Sequence, residues 1–126
     1  MTQSTTGLRM ALSSLDEALD LPRQRGSQKL WRQSVRRQMD SLRQCLDHES
    51  AAESEEWLAA RSGAILRERR ALLGRMSALG PQVQQAGELD VVRAEIKRLL
   101  TDVNHHLQRL SDLAYDDVEL ELGGSE

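Results

Sequence analysis

The sequence predicts an all-α protein, an elongated, coiled-coil-like antiparallel three-helix bundle with a short N-terminal helix and an acidic, extended C-terminal tail. Three observations lead to this prediction. Nearly half of the 126 residues are Ala, Glu, Lys, Leu or Arg, a composition typical of long helices. Leucine occurs 21 times against eight for isoleucine and valine together, and phenylalanine is absent, which disfavours a sheet. Apolar residues recur at spacings of three and four, the period of an amphipathic helix.

Residues 1–26 are predicted to form a short amphipathic helix followed by a polar linker. The apolar stripe predicts a helix of about 14 residues and consists of Leu8, Leu12, Leu15 and Leu19. Pro22 ends this helix, because proline lacks an N–H group and restricts the residue before it. This helix is expected to be either a fourth member of the bundle or an arm.

Residues 27–115 form the predicted bundle, and its second helix begins at Ser27, a favourable N-cap. The stripe of this helix consists of Trp31, Val35, Met39, Leu42 and Leu46. Ser50 and Glu53 have capping-box spacing, so we predict a turn at about Glu49–Ser50 and a third helix after it. Neither glycine nor proline enforces that turn, so one continuous helix from Ser27 to past Gly63 is an open alternative.

The third and fourth helices show heptad spacing. The third carries Leu58, Ile65, Leu72, Met76 and Leu79, with Ser62 and Arg69 at the two polar seam positions. Gly80 and Pro81 are predicted to end it, as a C-terminal glycine followed by proline usually does. Seven of the eight seam positions of the fourth helix are apolar, and the seam runs through Leu89, Val92, Ile96, Leu99, Val103, His106, Leu110 and Leu113.

Residues 116–126 are predicted to be an extended acidic tail. Val118, Leu120 and Leu122 alternate with acidic residues, which is a period of two. Such a segment can add as a strand to a partner's sheet, or fold back onto the arginines of the bundle. The predicted partner-binding residues of the tail are Tyr115, Val118, Leu120 and Leu122.

The net charge of the chain is only −3, but its positive and negative residues are concentrated in separate segments. Residues 23–44 carry a net +6 and residues 61–75 a net +4, whereas residues 45–60 and 116–126 each carry a net −5. Arginines that step by four and seven share one side of a helix. We predict a basic partner-binding face that comprises Arg32, Arg36, Arg37, Arg43, Arg67 and Arg70.

The sequence favours neither catalysis nor a cofactor. It contains no nucleophile elbow, glycine-rich phosphate loop or HExxH motif. A Cys/His/His metal site built from Cys45, His48, His105 and His106 fits the expected helix geometry, but no metal is assigned. His106 lies on the seam, so we expect a core histidine satisfied by a hydrogen bond.

These features predict a non-enzymatic helical protein–protein interaction module, an adaptor or regulator, that acts through an exposed helix face or the tail. The first alternative is a nucleic-acid-associated protein that uses the arginine-rich helices, and the second is a metal- or haem-binding bundle. We expect a protein partner. The apolar stripe of the second helix is narrow, which is compatible with a homo-oligomer in which a second copy completes the core. The single Cys45 and the lack of a long apolar stretch or signal peptide predict a cytoplasmic protein without a membrane segment.

Overall fold

A computed structural model describes residues 2–52 and 63–124 of the chain. Within these ranges the chain forms four α-helices and no strand, which confirms the all-α class. The helices are α1 (Thr2–Leu19), α2 (Gln28–Ala52), α3 (Gly63–Gln85) and α4 (Leu89–Gly124). None of these described helices has an apolar stretch long enough to cross a membrane.

All four helices contribute to one hydrophobic core. The stripes of α1 and α2 are buried, and Leu8, Leu15, Leu19 and Trp31 are fully inaccessible to solvent. Of the two roles expected for the N-terminal helix, a fourth member of the bundle or an arm, α1 has the first, because its apolar stripe is buried in the shared core. It spans 18 residues instead of about 14, and it contacts both α2 and α4.

Side-chain contacts pair the beginning of one helix with the end of the next. Arg32, near the start of α2, donates a hydrogen bond of 2.9 Å to the carbonyl oxygen of Val83, near the end of α3. In one continuous helix these residues would lie about 75 Å apart, since each residue adds about 1.5 Å. The alternative of a single helix from Ser27 to past Gly63 is thereby excluded.

The link between α1 and α2 contains the one positive φ angle among the described residues, 97° at Gly26. Glycine occupies this left-handed region without the steric penalty of a Cβ atom. Immediately after it, the backbone N–H of Trp31 donates to the carbonyl oxygen of Ser27 at 3.0 Å. Ser27 thus accepts the first hydrogen bond of α2, as an N-cap residue does.

The predicted turn at Glu49–Ser50 was wrong, because α2 continues through both residues to Ala52. The local sequence contains helix-forming alanine and glutamate and no residue that breaks a helix, so the capping-box pattern alone did not end it. Leu58 and Ser62, which the heptad pattern assigned to the third helix, lie outside the described residues.

Gly80 and Pro81 do not end α3, which continues to Gln85 with Pro81 inside the helix. Proline removes one hydrogen bond and crowds the preceding turn, so tertiary packing must compensate. Val83 supplies that packing, because it lies beyond the proline and is completely buried in the core.

The extended tail was also wrong, because α4 includes residues 116–124. Leucine and glutamate are good helix formers, and three alternating apolar residues are too few to override this preference. A helical segment does not offer the extended backbone that strand addition needs, so that predicted use of the tail loses its basis.

Candidate interaction surface

Four arginines lie along the boundary between α2 and α3, and we call Arg32, Arg36, Arg43 and Arg70 the basic edge. Arg36 and Arg43 line a cleft of 130 Å³ together with Ser77 and Gly80 of α3. Arg32 precedes Arg36 by one turn on the same side of α2 and contacts α3 directly. Arg70 lies two turns before Ser77, which places it on the same side of α3.

The first arginine of the basic edge is held by a hydrogen bond to backbone. Arg32 is half-buried and bonds to the Val83 carbonyl, one of the last carbonyls of α3. Such carbonyls have no partner within the helix and carry the negative end of its dipole, so a guanidinium is favoured there.

The guanidinium of Arg36 packs closely against Gly80 of α3. A Cβ atom at position 80 would overlap the Arg36 guanidinium, whose central carbon would lie 3.0 Å away. Glycine therefore permits this close approach. Arg36 also has one carboxylate nearby on its own helix, Asp40, at 3.6 Å from its Nε. Sequence reasoning missed this role of Gly80, because nothing local relates it to an arginine 44 positions earlier.

Arg43 and Arg70 are both exposed to solvent, and neither forms an ion pair with any described residue. Among the residues whose side chains are described, 6–48 and 63–112, the arginines of the basic edge form no ion pair between α2 and α3. The positive charge of the basic edge is thus opposed only by Asp40 within the contacts described.

Two arginines of the predicted face are not part of this edge. Arg37 follows Arg36 by one residue and is therefore turned by about 100° around α2. It is exposed, as is Arg67, which lies on the outer surface of α3. The structure thus brings together Arg32, Arg36 and Arg43, places Arg70 across the boundary from them, and separates the other two.

At the boundary between α1 and α4, unlike at the basic edge, cations form ion pairs with carboxylates of the neighbouring helix. Lys97 lies 2.6 Å from Asp16 and 3.3 Å from Asp20, and Arg93 lies 2.5 Å from Asp20. The hydrogen bond from Arg93 lowers the pKa of Asp20 below its ordinary value, and the bond from Lys97 adds to this effect. The bond that Lys97 donates to Asp16 raises the pKa of the Lys97 ammonium.

The boundary between α3 and α4 is neutralised in the same way. Arg75 pairs with Asp102 at 2.6 Å, and Arg109 pairs with Glu68. His106 is completely buried and its Nδ1 lies 2.7 Å from Glu68 Oε1, as expected for a hydrogen-bonded core histidine. Because an ionised carboxylate only accepts hydrogen bonds, Nδ1 is the donor.

Glu68 therefore accepts hydrogen bonds from two residues of α4. Its partial burial raises the pKa of the carboxyl group, but the hydrogen bonds from Arg109 and His106 lower that pKa by more. The net result is a pKa below the ordinary glutamate value. The hydrogen bond that Arg109 donates to Glu68 also raises the pKa of the Arg109 guanidinium. The charges of Glu68 and Arg109 are thus paired with each other across the α3–α4 boundary.

The residues considered for a metal lie on different boundaries. The Cys45 thiol is half-buried and lies 3.8 Å from the Gly7 carbonyl oxygen of α1, whereas His106 contacts α3. His48 and His105 are exposed. Among the described residues, no group of three or more His, Cys, Asp or Glu side chains could hold a metal ion.

An open cleft of 690 Å³ lies at the opposite end of the molecule from Gly63, between the α1–α2 link and the start of α4. Its charged residues are largely paired, because Arg23 binds Asp90 at 2.8 Å and Asp20 binds Arg93. The four tail residues of the predicted site, Tyr115, Val118, Leu120 and Leu122, lie in the last part of α4, and their side chains are outside the described set.

No protein-family model, curated protein or solved structure matches this chain.

Proposed function

We propose that this protein is a non-enzymatic interaction module, an antiparallel bundle of four helices that binds an acidic protein segment along its basic edge. One observation carries the proposal. Lys97, Arg93, Arg75 and Arg109 pair with carboxylates across the α1–α4 and α3–α4 boundaries, whereas the four arginines of the basic edge form no ion pair with a described residue of the neighbouring helix.

The arginines of the basic edge are suited to carboxylates. A guanidinium binds a carboxylate through two parallel hydrogen bonds, which adds orientation to attraction. Arg32 is already bonded to the Val83 carbonyl and Arg36 packs beside Gly80, so a partner that binds them needs to order fewer side chains. The boundary between two helices is also a groove into which a third helix can pack. We therefore propose an acidic helix as the partner.

An acidic protein fits better than a nucleic acid. The chain has a net charge of −3, so every polyanion meets repulsion away from the basic edge, and a polyphosphate, with its higher charge density, meets more of it than a short acidic helix. Trp31 is completely buried and donates its indole N–H to Leu19, so it offers no stacking surface to a base. Nucleic acid is the second candidate because it would use the same arginines, and the experiment below separates the two.

The test is a fluorescence-anisotropy titration of a labelled, glutamate-rich helical peptide at low protein concentration. The edge variant carries Arg43→Glu and Arg70→Glu, which reverse the two exposed charges. The control variant carries Arg9→Glu and Arg98→Glu, which reverse exposed arginines on α1 and α4. Both variants change the net charge equally, so any difference between them reports the position of the charge.

We expect the peptide to bind the wild type and the control variant, and the edge variant to bind at least about tenfold more weakly, because like charges then oppose each other. Equal binding by both variants would show that only net charge matters and would contradict the proposal. A short DNA duplex that binds more tightly than the peptide and shows the same loss in the edge variant would favour the nucleic-acid alternative.

A further inference from the structure

The cleft between α2 and α3 interrupts the row of arginines on α2. Arg36 and Arg43 both line it, and its volume is 130 Å³. Met39 and Met76 line it as well, and each is only 2% exposed, so they belong to its inner wall. Ser77 lines its α3 side and is exposed, so the cleft is open to solvent.

The inner wall of this cleft suits an apolar side chain. A dry cavity of about 150 Å³ holds one benzene molecule, so a volume of 130 Å³ has room for one leucine side chain. A carboxylate placed against the two methionines would lose its water, which is costly. It would also lie beside Asp40, which lines the same cleft. The cleft therefore favours a different group from the one that the arginines around it favour.

The arginines and the cleft follow a helical spacing along α2. Arg36 comes four residues after Arg32, and Arg43 comes seven residues after Arg36. The cleft lies between Arg36 and Arg43, at the level of Met39. Counted from Arg32, the four features therefore lie at 0, 4, 7 and 11 residues along α2, a length of about 17 Å.

One side of a partner helix presents side chains at these same intervals. Positions i, i+4, i+7 and i+11 fall within about 60° around an α-helix, because each residue turns the chain by about 100°. A helix that packs along the boundary at a small crossing angle keeps this match over about three turns. The spacing of the edge is thus the spacing of one face of a helix.

We infer that the basic edge recognises an acidic helix with one leucine-sized apolar side chain, which inserts into the cleft while acidic residues of the same face meet Arg32, Arg36 and Arg43. This inference rests on the proposed function and specifies its partner. In a partner parallel to α2, the acidic residues lie at i, i+4 and i+11 and the apolar residue at i+7. In an antiparallel partner, the acidic residues lie at i, i+7 and i+11 and the apolar residue at i+4.

The apolar residue fixes the register of the partner. Charge attraction alone acts over several ångströms and tolerates a shift of the partner along the row of arginines. A shift by one turn would place the apolar side chain against a guanidinium and a carboxylate against the methionines, so both contacts would be lost. The cleft therefore supplies specificity and the arginines supply attraction.

Anisotropy titrations of the full-length chain with four labelled peptides test the inference. Each peptide is an alanine-rich helix of about 20 residues, a length at which such helices form in water. Two peptides carry glutamate and leucine at the parallel and antiparallel positions, and the other two have glutamine in place of the leucine. Leucine and glutamine have similar helix propensities, so the exchange leaves the helix content nearly unchanged.

In one of the two directions, the leucine peptide should bind the wild type at least about tenfold more tightly than its glutamine counterpart, because a buried leucine adds apolar contact. The direction that shows this advantage gives the orientation of the partner. This comparison uses the wild-type chain alone, so it does not depend on the folding of any variant.

Ser77→Phe tests whether the cleft causes the advantage. The phenylalanine fills the cleft from α3 and leaves every charge in place. Ala78→Phe is the matched control, because Ala78 is exposed and turned by about 100° from Ser77 around α3. We expect the advantage of leucine to vanish in Ser77→Phe and to persist in Ala78→Phe, with circular dichroism showing that both variants are folded.

Two results would overturn the inference: equal binding of the leucine and glutamine peptides to the wild type in both directions, or an advantage of leucine that persists in Ser77→Phe. If either result is found while the edge variant still loses binding, the proposed function stands and the inference alone fails. If none of the four peptides binds the wild type, both fail.

Discussion

The indole N–H of Trp31 donates a hydrogen bond of 3.1 Å to the carbonyl oxygen of Leu19 and so joins the start of α2 to the end of α1. The same oxygen accepts bonds from Arg93 of α4 at 3.1 Å and from Arg23 of the α1–α2 link at 3.2 Å. A carbonyl in the last turn of a helix has no partner within that helix. Side chains from three other parts of the chain satisfy it here.

Replacing Trp31 should separate the contribution of this hydrogen bond from that of packing. Trp31→Phe keeps most of the buried ring but removes the donor, and we expect it to lower the free energy of unfolding by about 1 kcal/mol. Trp31→Ala also opens a cavity in the core and should cost about 3–5 kcal/mol. Urea denaturation followed by circular dichroism measures both values. A Trp31→Phe variant as stable as the wild type would show that the bond contributes nothing.

Arg93→Lys should destabilise the protein although it keeps the charge. Arg93 binds the Leu19 carbonyl through Nε and Asp20 through Nη2, and a lysine cannot reproduce that fork. We expect a loss of about 1 kcal/mol in the free energy of unfolding from the bond to Leu19. The matched substitution Arg98→Lys, at an exposed arginine of the same helix, should have no effect. If the two variants have the same free energy of unfolding, the contribution of Arg93 to stability comes from its charge alone.

Glu68 should make stability depend on pH in the acidic range. Its pKa in the folded protein lies below the ordinary value of 4.5, so its carboxylate stabilises the fold fully above that value. The contribution is lost as the pH falls through the lowered pKa, because protonation breaks the bonds from Arg109 and His106. Glu68→Gln should therefore be less stable than the wild type at neutral pH and should lose less stability between neutral pH and pH of about 3.

Urea denaturation as a function of pH measures this effect, with Glu95→Gln as the control for loss of an exposed carboxylate from α4. If Glu68→Gln follows the same pH dependence as the wild type, the hydrogen bonds to Glu68 do not stabilise the fold.

The two glycines inside α3 should respond differently to alanine. Gly74 is exposed and an added Cβ would meet no atom within 4 Å, so Gly74→Ala should stabilise the protein by about 0.5–1 kcal/mol through helix propensity. At Gly80 the Cβ would displace the Arg36 guanidinium, which offsets that gain. Thermal unfolding compares the two variants directly. A gain at Gly80 as large as at Gly74 would show that the contact of Arg36 with this glycine contributes nothing to stability, because the flexible guanidinium moves aside at no cost.

The apolar pattern was sufficient to predict the helical class and most of the core. The leucines of α1, the Trp31 stripe of α2 and the seam of α4 up to His106 are buried, because burial of a periodic apolar stripe follows from helix geometry alone. The predicted helix ends were wrong where a local helix-stop signal competes with tertiary packing. Pro81 predicted a helix end, but burial of Val83 extends α3 past it.

The candidate site could be predicted only in part. Spacing correctly placed Arg32, Arg36 and Arg43 on one side of α2, since steps of four and seven return to the same side of a helix. Whether an arginine pairs with a carboxylate depends on which helices are neighbours. The spacing of residues within one helix carries no information about its neighbours. The contact of Arg36 with Gly80 and the convergence of three donors on Leu19 arise between elements distant in sequence.

The most direct test of the account is to map the binding of the glutamate-rich helical peptide by NMR chemical-shift perturbation on the uniformly labelled protein. The account predicts that the shifted resonances belong to the basic edge, with Arg43, Arg70 and Gly80 among them, and that the α1–α4 boundary around Asp20 and Lys97 is unaffected. Perturbations centred on the α1–α4 boundary, or none at peptide saturation, would contradict it.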